Sequence, residues 1–130
     1  MAGTIVADTL THSTAGSITT NYVVDGSAKA WVNFNGSGTI AARDSLNVSG
    51  LVDDAISDYT VNLSNAMANS NFAITDSSCY DSDVGGGAAT GATESLPTST
   101  TSFALHSGRS TSGGEYDNEY VYATIFGDLA

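Results

Sequence analysis

The chain reads as an all-β protein, an antiparallel β-sandwich with an N-terminal β-prone arm or hairpin. Three observations predict this. Helix formers are scarce: Glu, Lys, Arg and Gln are few, while Gly, Ser, Thr and Asn dominate. Apolar residues recur with period two, as half-buried strands require. Turn signals separate the alternating stretches at short intervals.

The clearest alternation lies in residues 28–34, where Ala28, Ala30, Val32 and Phe34 share one face and Lys29, Trp31 and Asn33 the other. Tyr59, Val61 and Leu63 alternate with Thr60 and Asn62 in the same way. The pairs Leu46 and Val48, Phe72 and Ile74, and Phe103 and Leu105 extend the pattern, each taken as part of one strand. In the run "EYVYATIFG", Val121, Ala123 and Ile125 oppose Tyr120, Tyr122 and Phe126, so both faces are apolar. That predicts a central strand covered on both sides, by the second sheet and by another subunit. Turns are expected at Asp25-Gly26, at Asn35-Gly36-Ser37-Gly38 and near Gly50.

Two parts fall outside this rhythm. Residues 1–27 hold "TIVADTL" and "SITTNYVV", two β-prone pieces that read as an arm for attachment or subunit exchange, ahead of a sandwich domain at 28–130. Residues 81–100 are small and polar and read as one long loop, with a shorter one at 107–119.

A length of 130 residues suits one domain with a core of limited reserve, so oligomerisation is expected. With 14 acidic and 3 basic residues, the formal net charge of −11 opposes binding to phosphates. Nucleic acid and anionic membranes are therefore poor partners. No run approaches the 20 or so apolar residues of a membrane span, and the N-terminus lacks the pattern of a secretory signal. Cys79, alone of its kind, admits no intrachain disulfide and reads as a small, partly buried side chain.

No catalytic, cofactor-binding or metal-binding set emerges. His12 and His106 sit in unrelated surroundings, and no nucleophile elbow, zinc-protease or phosphate-loop motif occurs. Asp53 with Asp54, Asp81 with Asp83, and Glu115 with Asp117 and Glu119 are the carboxylate groups that a hard cation would seek. Each reads as solvated charge. Trp31 with neighbouring tyrosines would suit stacking on a sugar, but its place in mid-strand favours packing.

The residues from Ala28 to Gly36 ("AKAWVNFNG"), then Arg43 to Ser45, Asn47 and Val48, Asp58 to Leu63, Ala66 and Met67, and Asn71 and Phe72 form a longer pattern. It resembles a domain of small bacteriophage virion proteins and tail-fibre ends, especially from phages of marine bacteria and cyanobacteria. The likeness spans about residues 28–127, closing on "VYATIFG". Two departures stand out: Ala68 replaces the proline that usually follows the Ala-Met pair, and "DDAISDY" replaces a glycine-containing turn.

The resemblance implies an all-β, non-enzymatic virion component without cofactors, forming a homotrimer and contacting other phage virion proteins. The expected function is a tail-fibre-like component that recognises a host surface glycan or protein through its loops. It would be made in the host cytoplasm and released by lysis as part of the virion. Capsid decoration is the first alternative, with the arm and sandwich clamping neighbouring head subunits; a carbohydrate-binding module is the second. Expected partner contacts are Ile5, Val6, Leu10, Ile18 and Tyr22 in the arm and Tyr80, Asp81, Asp83, Arg109 and Tyr116 in the loops. Trp31, Phe34, Asn35, Gly36, Arg43 and Tyr59 mark the scaffold, with Arg43 and Asp44 expected to form a local ion pair or a subunit contact.

Overall fold

The computed structural model describes residues 3, 5–79, 93–107 and 115–130. Two four-stranded antiparallel sheets pack face to face, preceded by a two-stranded hairpin and a short helix. The hairpin is β1 (Thr9–His12) and β2 (Gly16–Thr19), and the helix α1 is Thr20–Gly26. The first sheet runs in the order β4 (Ala41–Leu46), β3 (Ala30–Asn35), β10 (Tyr120–Phe126), β7 (Ala73–Cys79). The second runs β5 (Val48–Ala55), β6 (Asp58–Leu63), β9 (Ser102–Ser107), β8 (Thr93–Ser99).

The period-two pattern decides which residues make the core. β3 buries Ala30, Val32 and Phe34, and β10 buries Val121, Ala123 and Ile125. Tyr59, Val61 and Leu63 of β6 face them with Phe103 and Leu105 of β9, while Met67 and Phe72 close one end. Apart from Met67 and Phe72, these residues sit on the four inner strands, so the core lies between the sheet centres. Burying a side chain such as Val61 or Phe34 stabilises the fold by about 1.5–3 kcal/mol. Phe34 meets Tyr59 edge-on at 5.2 Å, and Phe72 meets Phe103 edge-on at 6.5 Å, the geometry that ring quadrupoles prefer.

Several local expectations are corrected. "TNYVVDG" is helical because Thr20, Val23 and Val24, at spacings of three and four, turn one face toward Ile5, Val6 and Leu10. Asp25-Gly26 accordingly ends α1 and makes no hairpin turn. Lys29, expected simply on an outer face, donates its ammonium protons to the carbonyls of Val24 and Ser27. It thereby supplies a cation where the last helical carbonyls lack partners.

Leu46 and Val48 belong to different sheets because Asn47, at φ 57°, turns the chain from one layer to the other. Asparagine tolerates this left-handed conformation better than most residues. Its side-chain oxygen accepts from Asn65 N at 2.8 Å and Asn65 Nδ2 at 2.9 Å, and its amide donates to Asn65 O at 3.3 Å. The bend is at Asn47, and Gly50 lies inside β5 at a bulge.

The expected loop at 81–100 contains a strand, since β8 occupies Thr93–Ser99 on an edge of the sheet. An edge strand with one exposed face tolerates small polar residues. It also tolerates Pro97, whose missing N–H costs least there. The second expected loop is anchored at its far end, where Asn118 is buried and donates to Ser78 Oγ at 2.8 Å. β10 is central as expected, but among the described residues only one of its faces is packed against the other sheet. Tyr122 on the other face is 40% exposed.

Candidate functional site

Three of the six signature residues, Phe34, Gly36 and Tyr59, build the scaffold's interior. Gly36 is buried in the β3–β4 turn, its N–H donating to Asn118 O at 3.0 Å. The Tyr59 hydroxyl lies over it, within 3.2 Å of Gly36 O and 3.1 Å of Asp117 Oδ1. Burial, reinforced by the Asp117 carboxylate, holds the Tyr59 phenol well above its ordinary range. Asn35 closes the turn through its side-chain amide, which donates to Ser37 O at 2.7 Å.

Opposite stands Ser57, in the turn between β5 and β6. It is buried at φ 69°, with its N–H donating to Asp117 Oδ1 at 2.9 Å and its hydroxyl to Tyr116 O at 2.7 Å. These bonds, with Ser107 N donating to Ser57 O at 2.8 Å, hold a residue that its side chain alone would disfavour there. Tyr116 is half-buried and tied by its backbone to this turn.

Asp117 thus points inward, and the trio Glu115, Asp117 and Glu119 does not converge. Glu119 instead lies 3.9 Å from Arg43, correcting the expected local pair of Arg43 with Asp44. A bulge in the β3–β4 register places the guanidinium 4.2 Å above the Tyr120 ring. Asp44 accepts from Ser45 N at 2.8 Å. Tyr120 in turn stacks near-parallel with Tyr122 at 6.5 Å. Trp31 shares this outer face, paired across strands with Leu46 on one side and Thr124 on the other, so it packs away from the second sheet.

The outer face of the second sheet carries a groove of about 540 Å³ lined by Asp54, Asp58, Glu94, Leu96 and His106. His106 Nδ1 contacts Asp58 Oδ1 there, a pairing across β6 and β9 that separation in sequence conceals. Asp54 accepts the Thr60 hydroxyl at 2.7 Å. Among the described residues no group of three His, Cys, Asp or Glu is placed to hold a metal ion.

The arm is where expected contact residues come together. Ile5 and Val6 are 91% and 92% exposed, and Leu10, Ile18 and Tyr22 are also exposed. Val23 and Val24, missed by the alternation reading, join Ile5, Val6 and Leu10 around a cleft of about 440 Å³. From residue 5 to residue 27 only Thr20 is even partly buried. His12 organises the hairpin turn, its Nδ1 accepting from Ala15 N at 3.1 Å and Thr14 N at 3.3 Å. Of the expected loop contacts, Tyr80, Asp81, Asp83 and Arg109 lie outside the described residues.

Fold and surface together define an antiparallel β-sandwich that carries an apolar arm beside, and not within, its core. No family model, curated protein or solved structure matches the chain. Among the described residues no helix is long and apolar enough to cross a membrane.

Proposed function

We propose that this protein is a non-enzymatic structural component of a bacteriophage particle, a tail-fibre-like module that acts as a homotrimer. Residues 1–27 serve as its contact segment within the particle, and the stretches expected as loops within 81–100 and 107–119 meet the host surface. The observation that carries this reading is the arm's exposed apolar surface, set on a sandwich whose own core is complete without it. Large apolar side chains exposed together in this way are a place where another protein sits. The resemblance of Ala28 to Gly36 and the residues that follow to phage virion domains supplies the kind of particle. The resting place of Tyr59, Gly36 and Arg43 in the scaffold supports placing recognition elsewhere, on loops held by a rigid frame.

The test is incorporation. Phage carrying the gene with residues 1–20 deleted should yield particles that lack the protein, while the truncated chain still shows the sandwich's cooperative unfolding. Normal incorporation of the truncated chain would refute the role of the arm. Label confined to three-fold sites on the head would replace the fibre reading with capsid decoration.

A further inference from the structure

We infer that the arm's apolar cleft is filled by the arm of a second copy of this same chain. The inference rests on reading residues 1–27 as a contact segment, and it names the occupant.

The arm's elements need such cover. A two-stranded hairpin is marginal in water, and so is a helix far shorter than about 12–15 residues. α1 has seven residues, no side-chain cap and no buried side chain. The contacts of β1 and α1 run to β2, and no strand of the sandwich shares a packed face with them among the described residues. Yet the segment is tied into one body: Thr20 N donates to Asp8 O at 2.9 Å and Thr20 Oγ1 to Ala7 O at 2.7 Å. Those bonds hold residues 5–7 and α1 on either side of a cleft of about 440 Å³. A closed apolar cavity of about 150 Å³ already accepts benzene, so a cleft of this size accepts an aromatic side chain.

Charge favours the arm over the second sheet's outer face for contact between two copies. Of the chain's 14 carboxylates, only Asp8 and Asp25 lie in residues 1–27, which hold no Lys or Arg. Two copies that met through the outer face of the second sheet would oppose Asp54, Asp58 and Glu94 to their equivalents. Two copies that meet through their arms avoid this repulsion. Shape agrees: the same arm that carries the cleft also projects Tyr22, 67% exposed and outside the cleft's lining. A surface with both a projection and a receptacle associates head to tail, and such contacts form a ring where the rotation between copies closes.

The experiment is sedimentation equilibrium on the purified full chain, without other virion proteins, alongside Tyr22→Ser and Val24→Asp. The full chain should be oligomeric at micromolar concentration. Association should tighten in about 1 M salt, where the Debye length falls to about 3 Å. Each variant should associate about 100-fold more weakly, the loss expected of a central apolar anchor. Their sandwich unfolding midpoint should match that of the parent under conditions where both are monomeric. A full chain that sediments as a monomer overturns the inference, as does an oligomer unchanged in both variants. Incorporation into particles is a separate readout: a monomer that still enters particles refutes arm-to-arm contact and the homotrimer, and leaves the place in the virion standing.

Discussion

Gly36→Ala should be among the most damaging small substitutions in this chain. A Cβ at that position would lie 2.5 Å from Tyr59 Oη, 2.7 Å from Tyr59 Cζ and 2.8 Å from Asn118 O. None of these can retreat easily. The Tyr59 ring is 1% exposed and held edge-on against Phe34, and Asn118 is buried and bonded to Ser78. Overpacking of this kind costs about 1–3 kcal/mol. Displacing the ring also weakens the bonds from its hydroxyl to Gly36 O and Asp117, at about 0.5–1.5 kcal/mol each. The sum is about 2–6 kcal/mol, reduced by the roughly 0.4–1 kcal/mol gained from a less flexible unfolded chain. Equilibrium urea denaturation measures it. Tyr59→Phe removes Oη but leaves Cζ in place, so the double variant should deviate from additivity by about 0.5–3 kcal/mol. A Gly36→Ala chain within about 0.5 kcal/mol of the parent would refute the close approach.

Alkaline titration should leave the Tyr59 phenol un-ionised for as long as the chain is folded. Because the Tyr59 phenol is raised on folding, its contribution to stability is full below the ordinary range near pH 10 and lost as pH rises above it. Tyr59→Phe should abolish that step in the tyrosinate absorbance, whereas six tyrosines titrating together in the folded chain would contradict it. Asn47→Ala should cost about 2–3 kcal/mol, combining lost bonds to Asn65 with a left-handed alanine. Asn47→Gly should cost about 1 kcal/mol less, and equal losses would show that backbone strain is not involved. Arg43→Ala should lower stability by about 0.5–1 kcal/mol through the lost stack on Tyr120, since the half-exposed pair with Glu119 adds little. Arg43→Lys should restore only part of it in a thermal melt.

The central strands were legible because their code is local. Ala30, Val32 and Phe34, or Tyr59, Val61 and Leu63, alternate along one strand, and burial follows the alternation without exception. The turn at Asn35 to Gly38 was equally local. What escaped depends on partners far along the chain. Leu46 and Val48 alternate like one strand, and only the bonds from Asn47 to Asn65, eighteen positions on, reveal a bend between them. The inward turn of Asp117 follows from Ser57 and Tyr59, about sixty positions away. Nothing in "EYDNE" marks that carboxylate as different from its neighbours.

α1 was missed because Val23 and Val24 favour strands by propensity, and their spacing from Thr20 matters only once Ile5, Val6 and Leu10 are placed opposite. That Ile5, Val6, Leu10, Ile18 and Tyr22 lie outside the core was nonetheless readable. Large apolar side chains outside the core rhythm have no place to go within a chain this size.

The most direct measurement is cryo-electron microscopy of intact particles carrying an epitope or gold label on this protein. Label at the tail fibres in clusters of three is the predicted result, and its loss on deleting residues 1–20 should follow. Particles that carry no label at all, from cells in which the folded protein accumulates, would contradict the account.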